Sequence, residues 1–313
     1  MHFAFLSLRS LAACTLVSAL AMLSACVETP PPPTQEPALM PARRSTESLN
    51  LEKYYSNVQG KLRSQGLLRT DSGGADAPYS QETLVEDFQR IALFDEYRIS
   101  GGRFVASQTP SRLRRWEQPV RIGLVFGDLV PLEARSRDRA NVVAYARRLS
   151  RISGLDIRVT NQNPNYHVLF MYKDELKSVG PELQARVPRL SPIVSREIAN
   201  SPRNTFCVAY AFSSPGGSGA YTSAIVVIKA EHRNLMRLSC IHEEMAQALG
   251  LANDSPSARP SIFNDDEEFA LLTGHDEKLL KMLYDPRLKL GMTLKTARNL
   301  LPIIAEDVMK GSS

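Results

Sequence analysis

The sequence predicts a mixed domain of helices around one sheet, α/β or α+β, behind an exported N-terminus. Three observations predict it: five β-rich runs between residues 119 and 228, helical patterns between and after those runs, and an N-terminal apolar stretch that closes on a cysteine. The 313 residues are 43% hydrophobic and 23% charged, a globular composition that excludes a wholly disordered chain, and the 17 Gly and 20 Pro carry no collagen-like period. The net charge of +5 is too small and too dispersed to argue for a nucleic-acid partner.

Residues 1–26 contain Arg9, no acid, and an apolar run from Leu11 to Leu23. The run is short and rich in Ala and Ser, which suits an export signal better than a membrane span. Its end, Leu23-Ser24-Ala25-Cys26, resembles a bacterial lipobox, which implies signal removal after residue 25 and lipid attachment at Cys26. The alternative is an ordinary secreted protein cut near Ala25. Val27, where an inner-membrane lipoprotein carries Asp, implies by the same resemblance the periplasmic face of the outer membrane. Pro30 to Pro33, Pro37 and Pro41 then make residues 26–50 a stiff polyproline tether.

Cys14 leaves with the signal and Cys26 takes the lipid, so Cys207 and Cys240 remain for an oxidising compartment. A disulfide between them is expected, the alternative being two buried thiols.

Residues 51–79 read as a flexible or partly helical linker, with a helical pattern from Leu51 to Leu68 and a Gly/Asp-rich break at 71–76. The folded domain is expected from 80 to 313. Ser80 to Thr83 caps a helix whose apolar positions Leu84, Phe88, Ile91 and Ala92 step by three and four. Pro119 to Phe126 is a strand stopped by Gly127-Asp128. A helix over 136–152 carries Val142, Tyr145, Leu149 and Ile152 on one face, and Gly154 ends it. Strands follow at Leu155 to Val159 and Tyr166 to Tyr172, then a polar, proline-spaced insertion over 173–203. Phe206 to Phe212 and Ala224 to Ile228 read as neighbouring strands joined by the glycine-rich segment 213–219. A helix spans Asn234 to Gly250, and two packing helices fill 276–307 around the Asp285-Pro286 break.

The helix at 234–250 holds the chemistry. At about 100° per residue, Leu238, Ile241, Met245, Ala248 and Leu249 form one apolar stripe. Met236, Cys240 and Leu251 lie on the other side together with Glu243, Glu244 and Gln247. A helix apolar on two sides is buried on two sides, where carboxylates are costly unless something pairs with them. His242 projects toward the apolar stripe and reads as a packed histidine.

Read from His242, the zinc-protease pattern HExxH fails at Ala246. Shifted by one residue, the longer metzincin pattern HExxHxxGxxHD falls on EEMAQALGLAND, residues 243–254. Its glutamate lands on Glu244, its glycine on Gly250 and its final acid on Asp254. Its three histidines land on Glu243, Gln247 and Asn253. The order of strands and helices over about residues 110–310 also resembles the metzincin zinc-protease fold. A narrower resemblance is to a bacterial family called domain of unknown function 2927, through Glu-Glu-x-x-Gln-x-Leu-Gly-Leu-x-Asn-Asp at 243–254 and Ser-Ile-Phe-Asn-Asp at 261–265.

These resemblances imply an α+β fold, a metzincin-like mixed five-stranded sheet packed on helices with a central motif-bearing helix. They also imply that Glu243, Gln247 and Asn253 stand at metal positions, with Glu244 as the general base on a metal-bound water. A carboxylate and two amide oxygens suit calcium, magnesium or manganese better than zinc, so tight zinc binding is not expected and the expected state is without a cofactor. The expected function is a lipid-anchored envelope protein whose degenerate peptidase-like domain binds a peptide or protein without cutting it. The alternative is an active metallopeptidase with an oxygen-rich metal site and Glu244 as base. A third reading, a structural lipoprotein tethering envelope layers, needs only Cys26 and the proline stalk.

Overall fold

The computed structural model describes residues 43–311 except 102, 188–189 and 214–218, and at 98–99, 103–104 and 106 the backbone alone. The export segment, Cys26, the tether up to residue 42 and most of the glycine-rich segment after residue 213 lie outside the described residues. No described helix is long and apolar enough to cross a membrane.

The elements run α1 (Thr46–Ser64), α2 (Gln81–Ala92), β1 (Phe94–Ser100), β2 (Arg103–Pro110), β3 (Val120–Phe126), α3 (Leu132–Ser153), β4 (Ile157–Val159) and β5 (Tyr166–Met171). Then come α4 (Lys173–Leu176), α5 (Gly180–Arg186), α6 (Pro192–Ala199), β6 (Cys207–Ser213), β7 (Tyr221–Lys229) and α7 (Asn234–Gln247). The chain ends with α8 (Gly274–Leu283), α9 (Leu294–Ala297) and α10 (Leu301–Lys310).

The sheet is mixed and five-stranded, in the order β4-β3-β5-β7-β6. Four strands are parallel, and β6 runs antiparallel to β7 at the edge. Because both faces are covered, the central strands are continuously apolar, and Tyr166–Met171 is buried throughout. The two-residue period sorts them: Tyr166, Val168 and Phe170 face the large core with α2, α3, α7, α8 and α10. Leu169 and Met171 face a second core, where Leu176, Leu183, Val194 and Ile198 of α4, α5 and α6 meet Ile225 and Val227. The fold is therefore the α+β mixed sheet with helices that the sequence implies, and the polar insertion is the cover of its second face.

Three elements depart from the expected order. The helix expected from Leu51 begins at Thr46, where the Ser45 hydroxyl accepts a hydrogen bond from the Ser48 amide. It packs against the domain: buried Ser48 donates its hydroxyl to Glu231 at 2.8 Å, and the buried Tyr55 ring lies 4.0 Å from that of His232. The hairpin β1–β2 was not expected, and the insertion over 173–203 forms three short helices. The expected capping box at Ser80 forms, as does the left-handed Gly154 cap of α3.

Cys207 and Cys240 are joined in a disulfide that ties β6 to α7, with their Cα atoms 5.8 Å apart. By chain entropy, a loop of this length stabilises the domain by about 3–4 kcal/mol.

Candidate functional site

α7 lies on β6, β7 and α3, and three buried aromatic side chains with the partly buried Tyr284 hold its last turns and the two residues beyond them. The last carbonyls of a helix lack intrahelical partners. Here Tyr145 donates to the His242 carbonyl (2.7 Å), Tyr166 to that of Met245 (3.0 Å), Trp116 to that of Ala248 (2.9 Å) and Tyr284 to that of Leu249 (2.9 Å). Burial pushes the Tyr145 and Tyr166 phenols well above their usual range, which keeps them neutral donors. These positioning residues are scattered over the chain, and no spacing rule picks them out.

The chain then turns at Gly250, whose φ is +127°, and a Cβ there would fall 2.4 Å from the Arg114 carbonyl oxygen. Only glycine meets both conditions.

His242 is the packed histidine expected from its angle. Its ring stacks on Tyr145 with centroids 4.0 Å apart, and its Nδ1 accepts from the Leu272 amide at 3.1 Å. Burial pushes its pKa down to about 3, so it is neutral.

The opposite side of α7 faces a cleft of about 780 Å³. Glu243, Glu244 and Gln247 line it together with β6, with Glu96 and Tyr97 of the hairpin, and with Val194 and Glu197 of α6. The insertion thus contributes to the cleft wall. Asp254, Asp265 and Glu267 line it from the loop beyond α7.

Of the residues at the metal positions, two share this cleft and one does not. Glu243 and Gln247, one turn apart, both line it. Asn253 does not: it is fully buried, its side-chain amide donates to the Arg90 carbonyl at 2.8 Å, and its own amide donates to that of Ile91 at 3.1 Å. It joins the end of α2 to the loop. Its neighbour Asp254 lines the cleft and accepts a hydrogen bond from Gln247 at 3.1 Å. Of these two adjacent residues it is Asp254 that lines the cleft, because the path after Gly250 decides which side chain turns inward.

The donor set does not fit zinc. The potential ligand atoms of Glu243, Glu244 and Cys207 lie within 4.8 Å of one another, but the Cys207 sulfur is bonded to Cys240. Two adjacent carboxylates remain, short of the three protein ligands of a catalytic zinc centre.

The site is crowded with acid. Burial, then the neighbouring Glu244, pushes the Glu243 carboxyl well above its usual range; burial, then Asp254 and Glu96, does the same to Glu244. Asp254 is pushed up to about 8, by burial first and then by Glu96, and Glu267 to about 7, by burial and then Asp265. Glu244 is 5% exposed, and its Oε2 has no hydrogen-bond partner among the described residues. Such a group is costly to keep.

The second family motif is scaffolding. Ser261 donates its hydroxyl to Asp276 at 2.6 Å, the Ile262 amide donates to the same carboxylate at 3.1 Å, and the Phe263 side chain is fully buried.

Residues 81–303 match the family described as "Protein of unknown function (DUF2927)", and the chain belongs to that family. No curated protein and no solved structure matches the chain.

Proposed function

We propose that this is a lipid-anchored protein of the bacterial cell envelope, held through Cys26 on the periplasmic face of the outer membrane. Its domain is a degenerate metzincin-like peptidase domain that binds an extended peptide or protein segment and does not cut it. The observation that carries the binding reading is the edge strand β6. Cys207 to Phe212 line the cleft, and no described strand pairs with the outer edge of β6. An extended segment can add to such an edge by main-chain hydrogen bonds, its side chains reaching α7. The Cys207–Cys240 disulfide accords with an oxidising compartment.

The alternative, a metallopeptidase with Glu244 as base, requires Glu243, Gln247 and Asn253 to converge. The engagement of Asn253 with Arg90 speaks against it.

Elemental analysis of the purified periplasmic protein, with a casein-hydrolysis assay, tests this. Substoichiometric metal and no hydrolysis are expected, and Gln247→His gains no zinc because Asn253 is turned away. Stoichiometric metal that is lost in Glu243→Ala/Gln247→Ala, with hydrolysis lost in Glu244→Gln, overturns the binding reading. Labelled palmitate should enter the chain and be lost in Cys26→Ser; retention of label in that variant contradicts the anchor.

A further inference from the structure

The chain carries 38 Lys and Arg against 33 Asp and Glu, yet the cleft has the opposite sign. Glu96, Glu197, Glu243, Glu244, Asp254 and Glu267 line it, and among the described residues its one basic lining residue, Arg114, forms an ion pair with Asp95. An excess of acid on a basic chain is not a general surface property.

A second observation is independent of that count. Glu244 lines the cleft while 95% buried, since its exposure is 5%, and its Oε2 lacks a hydrogen-bond partner among the described residues. Glu231 Oε2 and Asn253 Oδ1 are also unpartnered but belong to residues outside the cleft lining, whereas at Glu244 a donor arriving with a ligand in the cleft would satisfy the oxygen. Resting on the peptide-binding reading above, we propose that the cleft takes the cationic side chain of a bound peptide, a lysine ammonium or an arginine guanidinium, against Glu243, Glu244 and Asp254.

The geometry favours an organic cation over a metal ion. Carboxylate oxygens of Glu243 and Glu244 lie within 4.8 Å of each other, a spacing that the several N–H donors of one guanidinium or ammonium can bridge. A hard divalent ion wants six or more oxygens, and the third member of the one close group of acidic and cysteine side chains among the described residues, Cys207, is spent in a disulfide. The amide of Gln247, donating to Asp254, orients that carboxylate beside the pair. A strand added at β6 would keep the backbone of the bound segment extended, with alternate side chains directed toward the helix.

The test uses acetylated, amidated pentapeptide libraries with randomised flanks and the central residue fixed as Arg, Lys, Gln or Glu, captured on the immobilised full-length protein. Arg and Lys libraries should be retained about tenfold more than Gln, as one charge-assisted hydrogen bond predicts, and Glu least. In Glu244→Gln, and separately in Asp254→Asn, the ratio of Arg or Lys retention to Gln retention should fall toward one. Equal retention of Arg, Lys and Gln libraries overturns the cationic assignment and leaves peptide binding standing. No retention of any library overturns both. Displacement of the Arg library by an equal concentration of calcium chloride, but not by arginine amide, also overturns the proposal, in favour of a metal.

Discussion

Two buried carboxylates, Asp276 and Glu244, divide the work of this molecule. Asp276 is fully buried at the start of α8 and accepts three hydrogen bonds, from the Ser261 hydroxyl (2.6 Å), the Ile262 amide (3.1 Å) and the Thr273 amide (2.9 Å), while the one Thr273 hydroxyl proton lies between it (2.9 Å) and the Pro260 carbonyl (2.8 Å). His275 stands beside it, itself paired with Asp87 at 3.2 Å. Glu244 is as deeply placed but leaves one oxygen unpartnered and has Glu243 and Asp254 as neighbours. The first arrangement is a structural lock that closes the loop after α7 onto α8. The second keeps, on a cleft-lining residue, polar capacity that no described group uses, which is what the proposed binding site requires.

The comparison breaks most visibly if the lock is cut. Asp276→Ala strands three buried donors and should cost about 3–5 kcal/mol, read as a loss of stability in urea denaturation. A loss below about 1 kcal/mol would mean that the network is hydrated and dispensable.

The cleft responds to pH in a way the lock does not require. Asp254 has a value near 3.8 when unfolded and about 8 when folded, so between these the folded protein holds a proton that the unfolded chain has released. The stability it contributes is complete below about pH 4 and is lost as pH rises through 8. Asp254→Asn should therefore flatten the decline in denaturation midpoint between pH 5 and pH 8, an interval set by that shift. His242, pushed down to about 3, acts oppositely: its contribution is full above its ordinary value of 6.5 and is lost as pH falls toward 3. An unchanged slope in Asp254→Asn would remove the cleft from the alkaline limb.

Most of this division is legible in the amino-acid order, and the exceptions have physical causes. The parallel strands announce themselves because burial on both faces demands unbroken apolar runs such as Tyr166–Met171. The i, i+4 pair Glu243 and Gln247 is legible because helical period fixes a shared face. The hairpin is not, since Phe94–Ser100 mixes charge into a strand with exposed Tyr97, although Gly101-Gly102 is a turn signal between two such runs. The three helices over 173–203 are short, two of them with a proline in the first turn, and their apolar residues serve a second core that periodicity alone does not reveal. Asn253 and Asp254 exchange roles because their directions depend on the turn at Gly250, which is set by the approach of Arg114 from far along the chain.

The smallest expected effect is also the most direct test that the cleft carboxylates serve a partner and not the fold. Glu244→Gln replaces a carboxyl by a group of the same shape that no longer meets the charge of its neighbours. Urea denaturation at pH 8 should give a variant as stable as the parent or more stable by about 1 kcal/mol, the trade expected where function has been placed ahead of stability. Destabilisation comparable to that of Asp276→Ala would contradict the division and make Glu244 a structural residue.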